Sequence, residues 1–489
     1  MTSIERFDLS PDLSISRVVT GLWQIADMER DGKTVDRDRA IAAIAHYDAV
    51  GITTFDMADH YGSAELLAGD YRRWAPQASV QWLTKWVPRP GPVSRVDVRA
   101  AVERALTRLG TNAIDLLQFH AWNYADPSWL EALFLLQDLK REGLIRHLGL
   151  TNVDTAHLGI VIASGIEVIA NQVSFSLLDP RAGREMAPFC QAHGVHLLAY
   201  GTLAGGWLSE RWLGRDEPDW ERTGTWSQMK YGRFIRTIGG WEALQRVLHA
   251  AATVAARHGV SIANVASRYA LEQPGVAAVI VGARLGERDH IDDTRRLFTW
   301  RLSHADRHVL QAAIDTLHPI PGDCGDEYRR PPFLTASGDL SHHLDAMPAP
   351  FRVVEGAGGR TVCLSGTSWE KLAGYARAVR HGRRISVSGT TATLGDRLIG
   401  GRDAAAQTHF AIDKMEGALQ SLGATLAHVV RTRVYVKNIA DWEAVARAHG
   451  TRFGAVLPAN TLVAATLVGD EYLVEIEADA ELGDADGDH

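Results

Sequence analysis

The chain has 489 residues, 46% hydrophobic and 22% charged, with a formal net charge of -8. That length exceeds one core and predicts two or three domains, and the acidic balance argues against a nucleic-acid footprint or a basic membrane patch. The N-terminus, MTSIERFDLSPD, lacks the apolar core of a signal peptide, and no apolar run approaches the roughly 18 residues of a membrane span, so a cytoplasmic protein is expected.

In chain order, apolar, β-rich runs occur at RVVTGLW (17–23), TTFDMA (53–58), VQWLTKW (80–86), DLLQFHA (115–121), HLGLTN (147–152), VIANQVSF (168–175), HLLAYG (196–201) and AAVIVGA (277–283). Helical patterns lie between them. RDRAIAAIAHYDAVG and RAAVERALTRLG each end in a Gly suited to a helix C-cap. Eight strands alternating with helices over about 250 to 300 residues predict an α/β fold, a (β/α)8 TIM barrel with its active site at the C-terminal strand ends. Asp56, Lys85, His120, Asn152 and Tyr200 fall at or near such ends.

Four of the polar residues near these ends form a chemically coherent set: Asp56, Tyr61, Lys85 and His120. A phenol with a pKa of about 10 is a weak acid at neutral pH. A neighbouring ammonium should favour the phenolate and lower that pKa, while a carboxylate keeps the ammonium charged and in place. A His can hold a substrate oxygen in line with the Tyr. Such a group can protonate a carbonyl oxygen while hydride arrives at the carbon. Lys85 sits in the apolar run QWLTKW, so a buried partner is expected, and Asp56 is the obvious one.

The order and surroundings of these four residues resemble the aldo-keto reductase superfamily. Further matching segments are GLWQ after the first strand, GLTNVD after the fifth, IANQVSFS as the sixth, AYGTLAGGWLS after the seventh and VIVGARLGERDHIDD after the eighth. The resemblance spans roughly residues 10–318 and implies an NAD(P)-dependent oxidoreductase acting on an aldehyde, ketone, alcohol or sugar, with Tyr61 as proton donor. Asn152 and Gln172 are then expected to hold the nicotinamide carboxamide, and Tyr200 to stack on its ring. Gly201, Leu203, Gly205 and Gly282 are expected to line the phosphate-binding loops, with a helix starting near Glu287 facing the anion. Arg284 and Arg288 favour NADP, with NAD possible. Asp292 replaces the family's usual Asn near the adenine. Trp23, Trp86 and Trp122 are expected around the substrate mouth. Trp207, Trp212, Trp220, Trp226 and Trp241, in the long insertion 207–241, could form an aromatic lid or pack the insertion onto the barrel.

After about residue 317 the chain becomes rich in Pro, Gly, Ser and Asp, and residues 319–350 read as a flexible linker. A barrel ending near 320 is expected to fold alone and keep its activity. SHHLD, within the linker, holds too few ligands for a metal site, and no metal is expected. The three cysteines, Cys190, Cys324 and Cys363, are too dispersed for a disulfide framework.

Residues 351–482 read as β-α-β-α-β-β, an α+β layer of helices on one sheet, followed by an acidic tail at 483–489. YARAVRHG, ISVSG, the Ala-rich helix ending in LGA, VVRTRVYVKNIADW, PAN at 458–460 and VEIEADA resemble the Rid family of enamine/imine deaminases, a chorismate-mutase-like fold. The resemblance implies a homotrimer with clefts between subunits. The family's deaminases carry an Arg where Asn460 stands, and Asn offers neither the charge nor the planar fork that grips a carboxylate. Glu475 and Glu477 point the same way on one strand, as a solvated or interface face. Two alternatives to a simple reductase remain open: a bifunctional enzyme that also processes imines, or a cofactor-sensing barrel with a C-terminal binding or oligomerisation module.

Overall fold

The computed structural model describes residues 3–26, 35–220, 224–329 and 347–483. An antiparallel hairpin, β1 (Arg6–Ser10) and β2 (Leu13–Ser16), opens the chain and was not anticipated. Its Leu9, Leu13 and Ile15 pack with Val19, Leu83, Leu116, Ala170, Leu198 and Ile280 from the barrel strands, which closes one end of the barrel interior.

All eight expected strands form: β3 (Val18–Gly21), β4 (Thr54–Asp56), β5 (Gln81–Trp86), β6 (Ile114–Phe119), β7 (Ile145–Thr151), β8 (Val168–Ser174), β9 (His196–Tyr200) and β10 (Val276–Gly282). They are parallel and close into a barrel in sequence order, with β10 pairing β3. Around them run α1 (Arg37–Ala49), α2 (Ala64–Trp74), α3 (Arg95–Leu109), α4 (Ser128–Arg141), α5 (Thr155–Ala163), α6 (Met186–Ala192), α7 (Trp226–Thr237), α8 (Gly240–His258), α9 (Ile262–Leu271), α10 (Ile291–Arg296) and α11 (His304–Ile314). Local chemistry sets their ends. Ser94 and Asp97 form a capping box on α3, and Gly110 ends that helix at φ 61, the left-handed turn that glycine adopts without strain.

The stretch 319–329, expected as linker, belongs to the barrel's surface layer. Cys324, Asp326 and Glu327 are buried in it. Residues 330–346, including the SHHLD motif, and residues 484–489 of the acidic tail lie outside the described residues.

The second domain contains the expected elements and more. Its strands are β11 (Arg352–Gly356), β12 (Arg360–Leu364), β13 (Ala378–His381), β14 (Arg384–Thr390), β15 (Thr393–Leu394), β16 (Arg397–Leu398), β17 (Val429–Val436), β18 (Ala459–Ala464) and β19 (Val474–Glu481). Its helices are α12 (Ser368–Ala373), α13 (Ala404–Ser421) and α14 (Trp442–Phe453). Seven strands make one sheet in the order β11-β12-β13-β14-β19-β17-β18. The hairpin β11–β12 and strand β13 are additions to the expected pattern.

This domain does not hang from a tether. Helix α13 is buried between its own sheet and the barrel, and Phe410, Ala406, Ile399 and Ala392 join the barrel's core. A Cβ on Gly417 would stand 2.3 Å from Ala125 O, so only glycine lets α13 approach the loop after β6. Asn123 donates to Gln420 across the seam at 3.0 Å. His157 of α5 lies between Asp154 (2.7 Å) and Asp413 of α13 (3.1 Å), and Arg452 donates to Asp413 at 2.5 Å. Burial opposes the charge on His157, but the two carboxylates override it and its pKa ends raised.

Candidate active site

Asp56 ends β4, Lys85 is the penultimate residue of β5, and His120 directly follows β6. Parallel registry sets Asp56 beside Leu83 and Lys85 beside Gln118, so the polar groups converge at one end of the barrel. Lys85 Nζ donates to Asp56 Oδ2 at 2.6 Å and to Met57 O at 2.9 Å. Both side chains are nearly fully buried. The other carboxylate oxygen, Asp56 Oδ1, accepts from Gln118 Nε2 (3.0 Å) and Gln172 Nε2 (2.8 Å). Lys85 Nζ stands 5.3 Å from the Tyr61 ring centroid. His120 Nδ1 donates to Thr151 O at 3.3 Å, which orients the ring.

The expected direction of the Tyr61 shift is reversed. Burial pushes its pKa well above the ordinary value, and the negative charge of Asp56 adds to the rise. The Lys85 ammonium is matched by Asp56 at close range and has little field left for the phenol. Tyr61 is therefore held as the neutral phenol, the form that a proton donor requires. Burial also lowers the Lys85 pKa, with Asp56 working against that fall.

The expected cofactor residues gather at the same end, in altered company. Gln172 is buried on Asp56 and Gln118, which adds it to the support of the carboxylate. Asn152 follows β7 with φ 57, and its Oδ1 accepts from the Tyr200 hydroxyl at 2.7 Å. Gly201 and Gly205 have φ of 72 and 66, which Leu203, between them, does not need. A Cβ on Gly201 would collide with the Tyr231 hydroxyl at 2.0 Å. A Cβ on Gly282 would stand 2.2 Å from Gln24 Oε1, an atom buried without a hydrogen-bond partner among the described residues. Such an unmet acceptor, beside loops that only glycine can form, fits a bound polar cofactor. Arg284, Arg288 and Asp292 are exposed. The helix expected near Glu287 starts later, at Ile291, because Gly286 (φ 77) and the Arg288 N to Arg284 O bond (3.1 Å) make a turn first.

Of the three expected substrate residues, Trp23 meets the Tyr61 ring edge-on at 5.1 Å and Trp122 meets His120 edge-on at 4.4 Å. Trp86 packs on Phe119. The aromatic insertion resolves as packing: Trp207, Trp212, Trp220 and Trp241 cluster with centroids 4.4 to 5.9 Å apart, and Trp207 is fully buried. Trp226 starts α7.

Three residues were missed. Gln118 bonds Asp56, and its place inside the apolar run DLLQFHA was the available signal. Lys230 of α7 and Tyr328 of the segment after the barrel meet at 2.5 Å, next to Tyr200 and His120. The segment carrying Tyr328 is fixed by charge. Arg181 donates to Asp179 (2.7 Å) and Glu327 (3.0 Å), all three being buried. Arg329 donates to Asn152 O at 2.6 Å and Ala121 O at 2.9 Å, with its guanidinium 4.2 Å from the Tyr124 ring centroid. Gly325 (φ 89) leaves no room for a Cβ, which would sit 2.0 Å from Asn152 O.

In the second domain, the Asn460 amide donates to Thr432 Oγ1 at 2.9 Å, and that hydroxyl contacts His449. Glu477 accepts from Arg433 at 2.9 Å. Glu475 is half-buried, and burial raises its carboxyl pKa against the pull of Arg377.

Comparison with known proteins agrees with this architecture. The Aldo/keto reductase family model matches residues 17–315, and the Endoribonuclease L-PSP model, that of the Rid family, matches residues 366–482. The NADH-specific methylglyoxal reductase of Escherichia coli is 25% identical over 329 residues, covering 63% of this chain and 97% of that protein. An uncharacterized protein of Streptomyces coelicolor is 40% identical over 123 residues, 25% of this chain and 92% of its own length. The solved glycerol dehydrogenase of Gluconobacter oxydans is 22% identical with a TM-score of 0.53, covering 66% of this chain and 98% of that one, a likeness of fold. With three-fifths of its length matched by that family model, the chain belongs to the aldo/keto reductase family and continues into a Rid-family domain.

Proposed function

We propose that the barrel is an NAD(P)-dependent carbonyl reductase with Tyr61 as its proton donor. The observation that carries this is the buried Lys85–Asp56 pair at 2.6 Å, with Lys85 5.3 Å from the Tyr61 ring centroid, at the strand ends where His120 also lies. A reduced nicotinamide, when bound, supplies hydride to the carbonyl carbon. Tyr61 gives its hydroxyl proton to the carbonyl oxygen, and the Lys85–Asp56 pair, with Lys85 5.3 Å from the ring centroid, holds the phenol in position. Asp56, gripped by Gln118 and Gln172, fixes Lys85 in place. His120 orients the carbonyl oxygen towards Tyr61. Asn152, Tyr200, Gly201, Leu203, Gly205 and Gly282 would hold the cofactor, with Gln24 as an added acceptor, while Trp23, Trp86 and Trp122 would bound the substrate mouth.

The exposed Arg284 and Arg288 support NADP, and the relative named as NADH-specific keeps NAD as the competing cofactor. The name of that relative also supports a small carbonyl substrate. Among the described residues no helix is long and apolar enough to cross a membrane, in keeping with a cytoplasmic enzyme. For the second domain we favour binding or assembly over imine hydrolysis, because Asn460 is uncharged and tied to Thr432. A homotrimer would use the sheet face opposite α13, where Arg433, Tyr435, Glu475 and Glu477 are partly exposed.

The test is a screen of aldehydes, ketones, sugars and 2-imino acids against NADPH and NADH oxidation and ammonia release. Carbonyl-dependent oxidation is expected, with little ammonia. A chain that binds cofactor but reduces no carbonyl would leave the sensing alternative in place. Light scattering of the full chain tests the trimer.

A further inference from the structure

The site holds a second ammonium that no carboxylate matches. Lys230 Nζ donates to Tyr328 Oη at 2.5 Å and Tyr200 Oη at 3.3 Å. It lies 4.7 Å from the ring centroids of both and 5.3 Å from that of Tyr231. Among the described residues no carboxylate is within ion-pair distance of it. Glu327, adjacent to Tyr328 in sequence, pairs instead with Arg181 at 3.0 Å. A half-buried ammonium held by hydroxyls and ring faces, with no carboxylate in direct contact, keeps field to offer an incoming anion; Glu327 acts on it only from beyond ion-pair distance.

We propose that Lys230 and Tyr328 form an anion subsite, and that the substrate is an oxo acid: an aldehyde or ketone carrying a carboxylate a few bonds from its carbonyl. Two donors converge there. The ammonium has three N–H groups and directs two at hydroxyls. Tyr328 accepts from Lys230, so its own proton is available to donate. Its present acceptor, Tyr200 Oη at 3.2 Å, is weaker than a carboxylate oxygen would be. The subsite adjoins the reacting centre, because the Tyr328 ring meets His120 edge-on at 5.5 Å. Two separate pieces of chain are immobilised to build it. Thr225 caps α7, which carries Lys230. Arg181, Arg329 and Gly325 lock the segment that carries Tyr328. A carboxylate placed here would sit across the Tyr328 ring from His120, the residue expected to orient the carbonyl.

The inference rests on the reductase reading of the same site, so its test includes a readout without turnover. Reduction of 5-oxopentanoate is compared with that of its methyl ester, in the full chain and in Lys230→Met. The acid-to-ester ratio of kcat/KM is expected to favour the acid in the native chain and to fall about 10- to 100-fold in the variant, as for loss of a charged hydrogen bond. In parallel, glutarate, which cannot be reduced, is titrated by calorimetry. It should bind the native chain and Lys230→Arg, and bind Lys230→Met at least ~10-fold more weakly. Tyr328→Phe, which keeps the ring, should lower the ratio by a smaller factor and guards against a misfolded Lys230 variant. Equal losses for acid and ester, a loss of NADPH affinity with the ratio unchanged, or equal glutarate binding by native chain and Lys230→Met would each overturn the subsite. If no aldehyde is reduced but glutarate binding still depends on Lys230, the reductase reading fails and the subsite stands.

Discussion

Lys85 and Lys230 are both ammonium groups at one active site, and they are balanced in different ways. Lys85 is sealed against Asp56 at 2.6 Å, and two amides hold that carboxylate in turn. Lys230 faces hydroxyls and ring faces. A matched pair in a dry site projects little net field and works through position. An unmatched cation projects its charge outward and works through attraction. The first arrangement suits a proton donor that must stay neutral until it reacts. The second suits the capture of an anion.

The same contrast separates what the sequence made legible from what it hid. Asp56, Lys85 and His120 each break or end an apolar strand run, so strand periodicity alone sends them to one end of a barrel. Lys230 sits in an amphipathic helix inside an aromatic insertion, where it looks like a solvated charge. Residues 319–329 have the composition of a connector, and Ile320 and residues 324–327 within them are buried, held largely by ion pairs and backbone contacts that leave no hydrophobic period. Arg181 precedes Glu327 by 146 residues, a pairing that no local pattern encodes. The seam between the domains was hidden for a related reason. Gly417 and His157 read as an ordinary helix glycine and a helix histidine until the two domains are docked.

Four substitutions, in descending order of effect, and one truncation probe the contrast. Arg181→Met leaves Glu327 and Asp179 buried without their cation and should cost about 3–5 kcal/mol. The loss should appear in urea unfolding and in proteolysis at 319–329. A cost below about 1 kcal/mol would mean that the ion pair does not hold the segment. The same variant should leave NADPH binding far less affected than substrate binding.

On the cofactor side, Arg288→Ala should weaken NADPH by about 1.5–3 kcal/mol and NADH by much less, as for a charged hydrogen bond to the 2′-phosphate. Equal losses in fluorescence titration would remove the case for NADP.

Gly417→Val drives methyl groups into Ala125 O and should cost about 1–3 kcal/mol of stability, measured by calorimetry. An unaffected transition would show that α13 does not seat tightly on the barrel. A chain cut near residue 320, expected from sequence to stay active, should instead aggregate or lose activity. It lacks Tyr328 and Arg329 and uncovers the apolar patch under Phe410.

The smallest effect is a pH dependence at the seam. His157 has a raised pKa in the folded chain, so its stabilising charge is fully present below about 6.5 and is lost as pH rises through the raised value. Asp413 is lowered, against burial, by His157 and Arg452, so its contribution is lost only as pH falls through its depressed value in acid. His409, pushed down to about 4 chiefly by burial, stays neutral across this window. Stability should therefore decline above neutrality in the native chain. His157→Gln should flatten that decline. A native profile that rises with pH from 6.5 upward would contradict the sign.

The most direct test of the central claim is single-turnover oxidation of bound NADPH by Tyr61→Phe, with cofactor affinity measured on the same sample. The account predicts an affinity close to that of the native chain and a rate lower by about 10²- to 10⁴-fold, the usual range for loss of a positioned proton donor. A variant that keeps more than about a tenth of the native rate, well outside that range, would contradict the assignment of Tyr61.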